Sequence, residues 1–482
     1  MRHLLIFSLA CLARIWALAV DCDGGCYQKP LVEHGPHVSS QFNLRQQSEV
    51  LCDAGSRQWT GTVDVGPGKS MFFWYFESRN NPETDPVVLW MSGGPGATGE
   101  FGLFKDIGPC AVNEDGNSTR RNFHSWTDSA NVIFIDQPVG IGFSAIANRS
   151  NMAVDLHAGA QDLYAFLDIF TTKIFPGLTS REWHIAGESM GGHYTVGYTQ
   201  YITWRQAELS PDAPRLNIVS VIAVDAYIDI SRQAAGYYDF FCTSWNGEGQ
   251  PPLMNHTACT EMAAAVPECE RLGALCRETY DVHVCAMAGE LCNENVGAYY
   301  LTDVKPGGWN PYDSREQCIR PPLCSDLDGG PALKFLNRPW VQRQLGVDTP
   351  FELIDFDAGE RWFNSMAIHL PVTREMTWLL DNTNIRFLFI NGNNDIIINT
   401  PGQIRLLEEL PWHGQALYRS QKFEPWYFSN GELVSNAGGT MGGQQKGGGR
   451  LSLFTVDEAG HMAPAHQPEA VGAVVKFFLR QR

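Results

Sequence analysis

The sequence predicts an α/β fold, a central and mostly parallel sheet with helices on both faces. Short unbroken apolar runs recur: Val87–Met91 (VVLWM), Asn131–Asp136 (NVIFID), Val219–Val224 (VSVIAV), Ile385–Ile390 (IRFLFI) and Leu451–Val456 (LSLFTV). Continuous hydrophobicity suits strands covered on both faces. Stretches of helical spacing such as Asp155–Phe175 lie between them, and strands interleaved with helices suit parallel pairing. Most of these runs stop at a Gly/Pro loop carrying polar groups, and in such sheets ligands sit at the carboxyl ends of the strands.

In chain order, Arg2 and His3, the apolar Leu4–Ala13 and Ala17-Leu18-Ala19 form the n-region, h-region and A-x-A site of a signal peptide over 1–19. Its apolar run is too short to span a bilayer. Asp21–Asp53, with Cys22, Cys26 and Cys52, reads as an irregular, disulfide-tied segment, followed by strand-like Gln58–Val65 and Ser70–Glu77. The sheet then proceeds to Val224. From Tyr237 to Asp381 the strand rhythm is lost, and eight cysteines and Pro/Gly turns mark an inserted, disulfide-rich, largely helical cap. The division is therefore 1–19, core 20–236, cap 237–381 and core 382–482. Ala437–Gly449 (AGGTMGGQQKGGG) is read as a flexible loop, because the Gly-Lys-Ser/Thr and following helix of a phosphate cradle are missing.

With 482 residues, 44% hydrophobic and 18% charged, the chain is globular and long enough for a large core. A net charge of −18 without any basic run argues against nucleic acid and anionic membranes as partners. Of 13 cysteines only Cys11 lies in the leader, and the remaining 12 suit full pairing in an oxidising compartment. Sequons at Asn117, Asn148 and Asn255 agree with a secreted or vacuolar destination. No CxxC pair and no HExxH occurs, so neither metal nor cofactor is expected.

The chemistry centres on Glu182–Tyr194 (EWHIAGESMGGHY). Apolar Trp183–Ala186, then Gly187-Glu188-Ser189-Met190-Gly191, then a helix opening at Gly192-His193-Tyr194, is the layout of a nucleophile elbow. The pentapeptide alone arises by chance on the order of a few tenths of a time in such a chain, so its partners decide. IRFLFI runs into Asn391-Gly392-Asn393-Asn394-Asp395, and LSLFTV runs into Asp457-Glu458-Ala459-Gly460-His461. Ser, Asp and His thus stand in triad order at three strand ends.

These segments, with FFWYFESR, VVLWMSGGPG, IDQPVGIGFS and AGHMAPAHQPEA, lie in the order of the serine carboxypeptidases, and the chain resembles that family from about Gln58 to its end, the cap excepted. The resemblance implies an α/β-hydrolase fold and a serine-type carboxypeptidase acting on peptide C-termini. It implies Ser189 as nucleophile, Asp395 as orienter, His461 as base, and the backbone N–H groups of Gly94 and Met190 as oxyanion hole. Met190 stands where the family often has Tyr. The site for the substrate's terminal carboxylate would comprise Ser92, Gly93, Asp106 and Glu188. Ser92 replaces the family Asn and Asp106 aligns with a Glu, both with shorter reach. Ala97 replaces a family Cys, so one common disulfide is absent or rerouted. A carboxyl donates a hydrogen bond to a carboxylate only while protonated, which implies peptide cleavage best at acidic pH. An acyltransferase or esterase of the same family, and a catalytically inactive binding relative, are the alternatives.

Overall fold

The computed structural model describes residues 42–481, except 212, 244, 246–250, 302, 325–329 and 436–437. The expected signal segment 1–19 and Cys22 and Cys26 lie outside the described residues.

The chain runs through β1 (Phe42–Gln47), β2 (Gln58–Gly66), β3 (Lys69–Phe76), β4 (Val87–Met91), β5 (Asn131–Ile135), α1 (Leu156–Ile169), β6 (Glu182–Glu188), α2 (Met190–Ala207) and β7 (Asn217–Val224). Helices follow, among them α3 (Ile230–Cys242), α4 (His256–Thr279), α5 (Val282–Cys292), α6 (Phe356–Asn364) and α7 (Thr373–Asn382). Then come β8 (Arg386–Gly392), α8 (Thr400–Glu409), β9 (Glu424–Ser429), β10 (Glu432–Val434), β11 (Thr440–Gly448), β12 (Leu451–Val456) and α9 (Pro468–Arg480).

The sheet order is β1-β2-β3-β5-β4-β6-β7-β8-β12-β11-β9-β10. From β5 to β12 all neighbours are parallel, and the wings are antiparallel. Strand β4 shows why the apolar runs are unbroken. Its Leu89 and Met91 pack with Phe166 and Leu167 of α1 and with Tyr194 and Tyr198 of α2. Its Val88 and Trp90 face the opposite way, toward Val471, Val474 and Phe478 of α9. Strand β5 lies on one side of β4 and β6 on the other, so the chain changes direction between β4 and β6. A crevice opens at the carboxyl ends of strands at such a reversal.

The stretch beyond β7 is helical and stapled by Cys242–Cys259, Cys269–Cys292, Cys276–Cys285 and Cys318–Cys324. Cys52 pairs with Cys110. The helical pattern of Asp155–Phe175 is divided into α1 and a π turn over Phe170–Ile174.

The Gly-dense segment is not a flexible loop. Residues Thr440–Gly448 form β11, paired with β12 and β9. A Cβ on Gly442 would strike the Trp426 indole, and one on Gly443 would strike the Thr455 carbonyl. Close approach of a neighbouring strand, rather than freedom, selects glycine here.

The loops after β4 and β5 share an acidic tie. Asp136 accepts from the N–H groups of Gly99 (2.8 Å) and Phe143 (2.7 Å). Glu100, buried beside it, is pushed well above the ordinary carboxylate range by burial first and then by the charge of Asp136. It therefore holds a proton and donates to Asp136. A carboxyl raised in the folded state contributes stability that is complete below its unfolded value of about 4.3 and is lost as pH rises toward its folded value. Glu100→Gln keeps a donor that cannot ionise. Its thermal midpoint is expected to fall less than that of the wild type between pH about 5 and 8. Parallel declines, measured by circular dichroism, would contradict this.

Candidate active site

Strand β6 extends through Glu188 and α2 begins at Met190, which leaves Ser189 as the whole junction. Its φ is +59°, a conformation that non-glycine residues hold only where surroundings impose it. Here Ser189 N–H donates to the Val224 carbonyl (3.0 Å), and its carbonyl accepts from Gly192 and Tyr227, both at 2.9 Å. The turn has no room for side chains beside it. A Cβ on Gly187 would lie 2.7 Å from the carbonyl oxygens of Gly191 and Met91. The Met190 N–H belongs to the first turn of α2, where N–H groups lack intrahelical acceptors and the helix end is electropositive.

The loop after β4 closes on this turn. A Cβ on Gly93 would meet Glu188 O and Ser189 Cβ at 2.7 Å and Met190 N at 2.8 Å. Glycine at 93 thus sets the Gly93–Gly94 peptide beside the Met190 N–H. Gly94, with φ +105°, occupies a region that disfavours other residues. At Ala97 no disulfide forms. Instead Ala97 bridges Ile354, Thr98 N–H donates to Leu353 O (3.1 Å) and Asp355 N–H to Gly96 O (2.9 Å).

Strands β7, β8 and β12 lie beyond β6 in that order, in register Glu188–Val224, Val224–Ile390 and Gly392–Val456. Asp395 follows β8 and His461 follows β12. His461 Nδ1 lies 2.7 Å from Asp395 Oδ2, with the histidine 5% exposed and the aspartate 0%. A carboxylate only accepts, so Nδ1 carries the proton and Nε2 is left as the basic nitrogen. Asp395 Oδ1 accepts from Ile398 N–H (3.2 Å). His461 N–H donates to Tyr312 O (2.7 Å), and the Tyr312 ring lies 5.4 Å from the imidazole. The same segment pairs with the Asp395 loop through Ser314 N–H to Asn394 O (2.9 Å).

Buried carboxyls complete the picture. Asp106 ends a π turn over Gly102–Asp106, and neither of its oxygens finds a hydrogen-bond donor among the described residues. Glu188 Oε2 is equally unpartnered. Burial pushes both carboxyls well above the ordinary range. For Glu188, the charges of Asp106, Asp225 and Asp395 push the same way. Ser92 Oγ accepts from Trp90 Nε1 (3.2 Å), which leaves its own O–H as a donor.

The sequence profile of the serine carboxypeptidase family matches residues 50–481. The chain belongs to that family. It is 32% identical over 455 residues to carboxypeptidase Y of Schizosaccharomyces pombe, covering 91% of this chain and 43% of that one. It is 33% identical over 421 residues to carboxypeptidase Y homolog A of Aspergillus niger, covering 87% and 71%. The match thus spans less than half of the Schizosaccharomyces protein and about seven tenths of the Aspergillus one. Among solved structures it resembles a prohormone-processing carboxypeptidase from Saccharomyces cerevisiae, with TM-score 0.74, 20% identity, and coverage of 89% of this chain and 92% of that one. That likeness speaks to the fold, which is an α/β-hydrolase.

Ser189, Asp395 and His461 each follow a strand at the same sheet edge; Gly93 and Met190 touch the Ser189 turn, with Ser92 and Gly94 beside Gly93, and Asp106 lies close enough to Glu188 to raise it. Asn117, Asn148 and Asn255 are exposed. Sequence reasoning passed over Asp225 and Tyr312. The first follows β7, in line with the elbow and Asp395, and the topology alone marks it. The second sits in a turn-rich segment without a motif. Gly93→Ala is expected to lower kcat/KM about 10²-fold by displacing the loop from Ser189, with cooperative unfolding retained. Unchanged turnover would contradict the role of this contact.

Proposed function

We propose that the protein removes C-terminal residues from peptides through an acyl-enzyme on Ser189. The reading rests chiefly on the buried hydrogen bond between Asp395 and His461, set at the same sheet edge as the strained Ser189 turn, in a chain of the serine carboxypeptidase family. His461 Nε2 takes the Ser189 proton as Oγ attacks the scissile carbonyl, and Asp395 holds the tautomer and stabilises the imidazolium. The N–H groups of Gly94 and Met190 receive the developing oxyanion, each worth about 2.7–4 kcal/mol of barrier. His461 then passes the proton to the leaving amine, and water, activated in the same way, releases the acyl group. Segment 237–381 serves as a cap over this edge.

Ser92, Gly93, Asp106 and Glu188 form the pocket for the substrate's terminal carboxylate. The unpartnered, proton-holding carboxyls of Asp106 and Glu188 support this, because a protonated acid can donate to a carboxylate while an ionised one repels it. An acyltransferase or esterase is the second reading. It is favoured by the shorter side chains at Ser92 and Asp106, and an ester product in the presence of an alcohol would reveal it. Passage through the secretory pathway to the exterior or a vacuole fits segment 1–19, the disulfides and the exposed sequons. No helix among the described residues is long and apolar enough to cross a membrane.

Ser189→Ala is expected to lower kcat on an N-blocked dipeptide on the order of 10⁶-fold. Wild type should cleave the free acid better than its C-terminal amide, and equal cleavage of both would refute end recognition. The KM for the free acid should rise as pH climbs and Asp106 and Glu188 lose their protons, while the corresponding ester keeps its KM. Superimposable pH profiles for peptide and ester would contradict the protonated pocket.

A further inference from the structure

Asp225 follows β7, the strand between those that deliver Ser189 and Asp395. It is wholly buried and has φ +41°. Its N–H donates to Ile390 O (2.8 Å) and its Oδ1 accepts from Gly392 N–H (2.7 Å), the residue that closes β8. Its Oδ2 makes no hydrogen bond of normal geometry among the described residues, and the Ala463 N–H lies near the same carboxyl. The side chain that faces Asp225 within hydrogen-bonding reach is Asp395, which follows β8. The other ionisable groups near it are Glu188 at the end of β6 and, beyond Asp395, His461 after β12.

Two touching carboxyls sealed from water cannot both be ionised. Asp395 already accepts from the imidazole Nδ1–H and from Ile398 N–H, and its partner becomes a cation during the reaction. The shared proton therefore belongs on Asp225. We infer that Asp225 is a positioning residue: its protonated carboxyl donates to Asp395, fixing the carboxylate that orients His461. The inference rests on the triad reading above. Burial and the charge of Asp395 raise Asp225 well above the ordinary range. When pH rises far enough to remove the proton, two anions repel, and Asp395 loses its support. The alkaline limit of the chemistry is then set at Asp225.

The test uses an N-blocked amino-acid ethyl ester, which carries no terminal carboxylate and so bypasses Asp106 and Glu188. Asparagine tolerates positive φ and offers a permanent N–H to Asp395. Asp225→Asn is expected to keep kcat within about threefold of wild type at acidic pH and to move the alkaline loss of kcat upward by about one pH unit or more. Asp225→Ala is expected to lose about 10- to 100-fold in kcat across the profile, as a hydrogen bond to a charged group is removed. An alkaline limb in Asp225→Asn identical to that of wild type would overturn the inference. So would Asp225→Asn being as impaired as Asp225→Ala while a fluorophosphonate still labels Ser189. If Asp225→Ala fails to fold, the Asp225→Asn profile decides alone. Failure of the probe to label folded wild type at Ser189 would overturn the triad reading itself, and the role of Asp225 with it.

Discussion

Desolvated carboxyl groups at the ends of parallel strands are the constraint on which this site depends. Glu188, Asp106, Asp225 and Asp395 lie close enough to perturb one another where water is excluded. They cannot all carry charge. Asp395 is the one supplied with N–H donors on both oxygens, one of them the imidazole. The others are left to hold protons, and a proton on a buried carboxyl turns an acceptor into a donor. The same logic operates a few residues away, where Glu100 donates to Asp136 and ties together the loops after β4 and β5.

The sheet makes this clustering possible. Parallel neighbours bring the carboxyl ends of β4, β6, β7, β8 and β12 to one edge, and the reversal between β4 and β6 opens the gap that the Gly93 loop and Ser189 share. Glycine at 93 and 187 is set by contact, since a single Cβ would push backbone away from the nucleophile. The strained φ of Ser189 is held by hydrogen bonds to the neighbouring strand and its loop, so the turn and the sheet stabilise each other.

Much of this was legible in the sequence because the signals were local. Strands such as Val87–Met91 announce burial on both faces, and Gly187–Gly191 announces a turn without room for side chains. Asp395 and His461 were found because each follows an apolar run. What was missed depends on partners distant in the chain. Thr440–Gly448 reads as a loop until the Trp426 ring and the Thr455 carbonyl are seen occupying the space of the absent side chains. Asp225 reads as an ordinary turn residue until β7 is placed between β6 and β8. Tyr312 carries no pattern, and only the fold brings it against His461.

Proton occupancy is directly observable in the infrared, where a protonated carboxyl and a carboxylate absorb at separate frequencies. Spectra of the intact protein at neutral pH are expected to retain protonated-carboxyl bands that diminish separately in Glu188→Gln, Asp106→Asn and Asp225→Asn. A wild-type spectrum with every carboxyl ionised at neutral pH would contradict the shared-proton site.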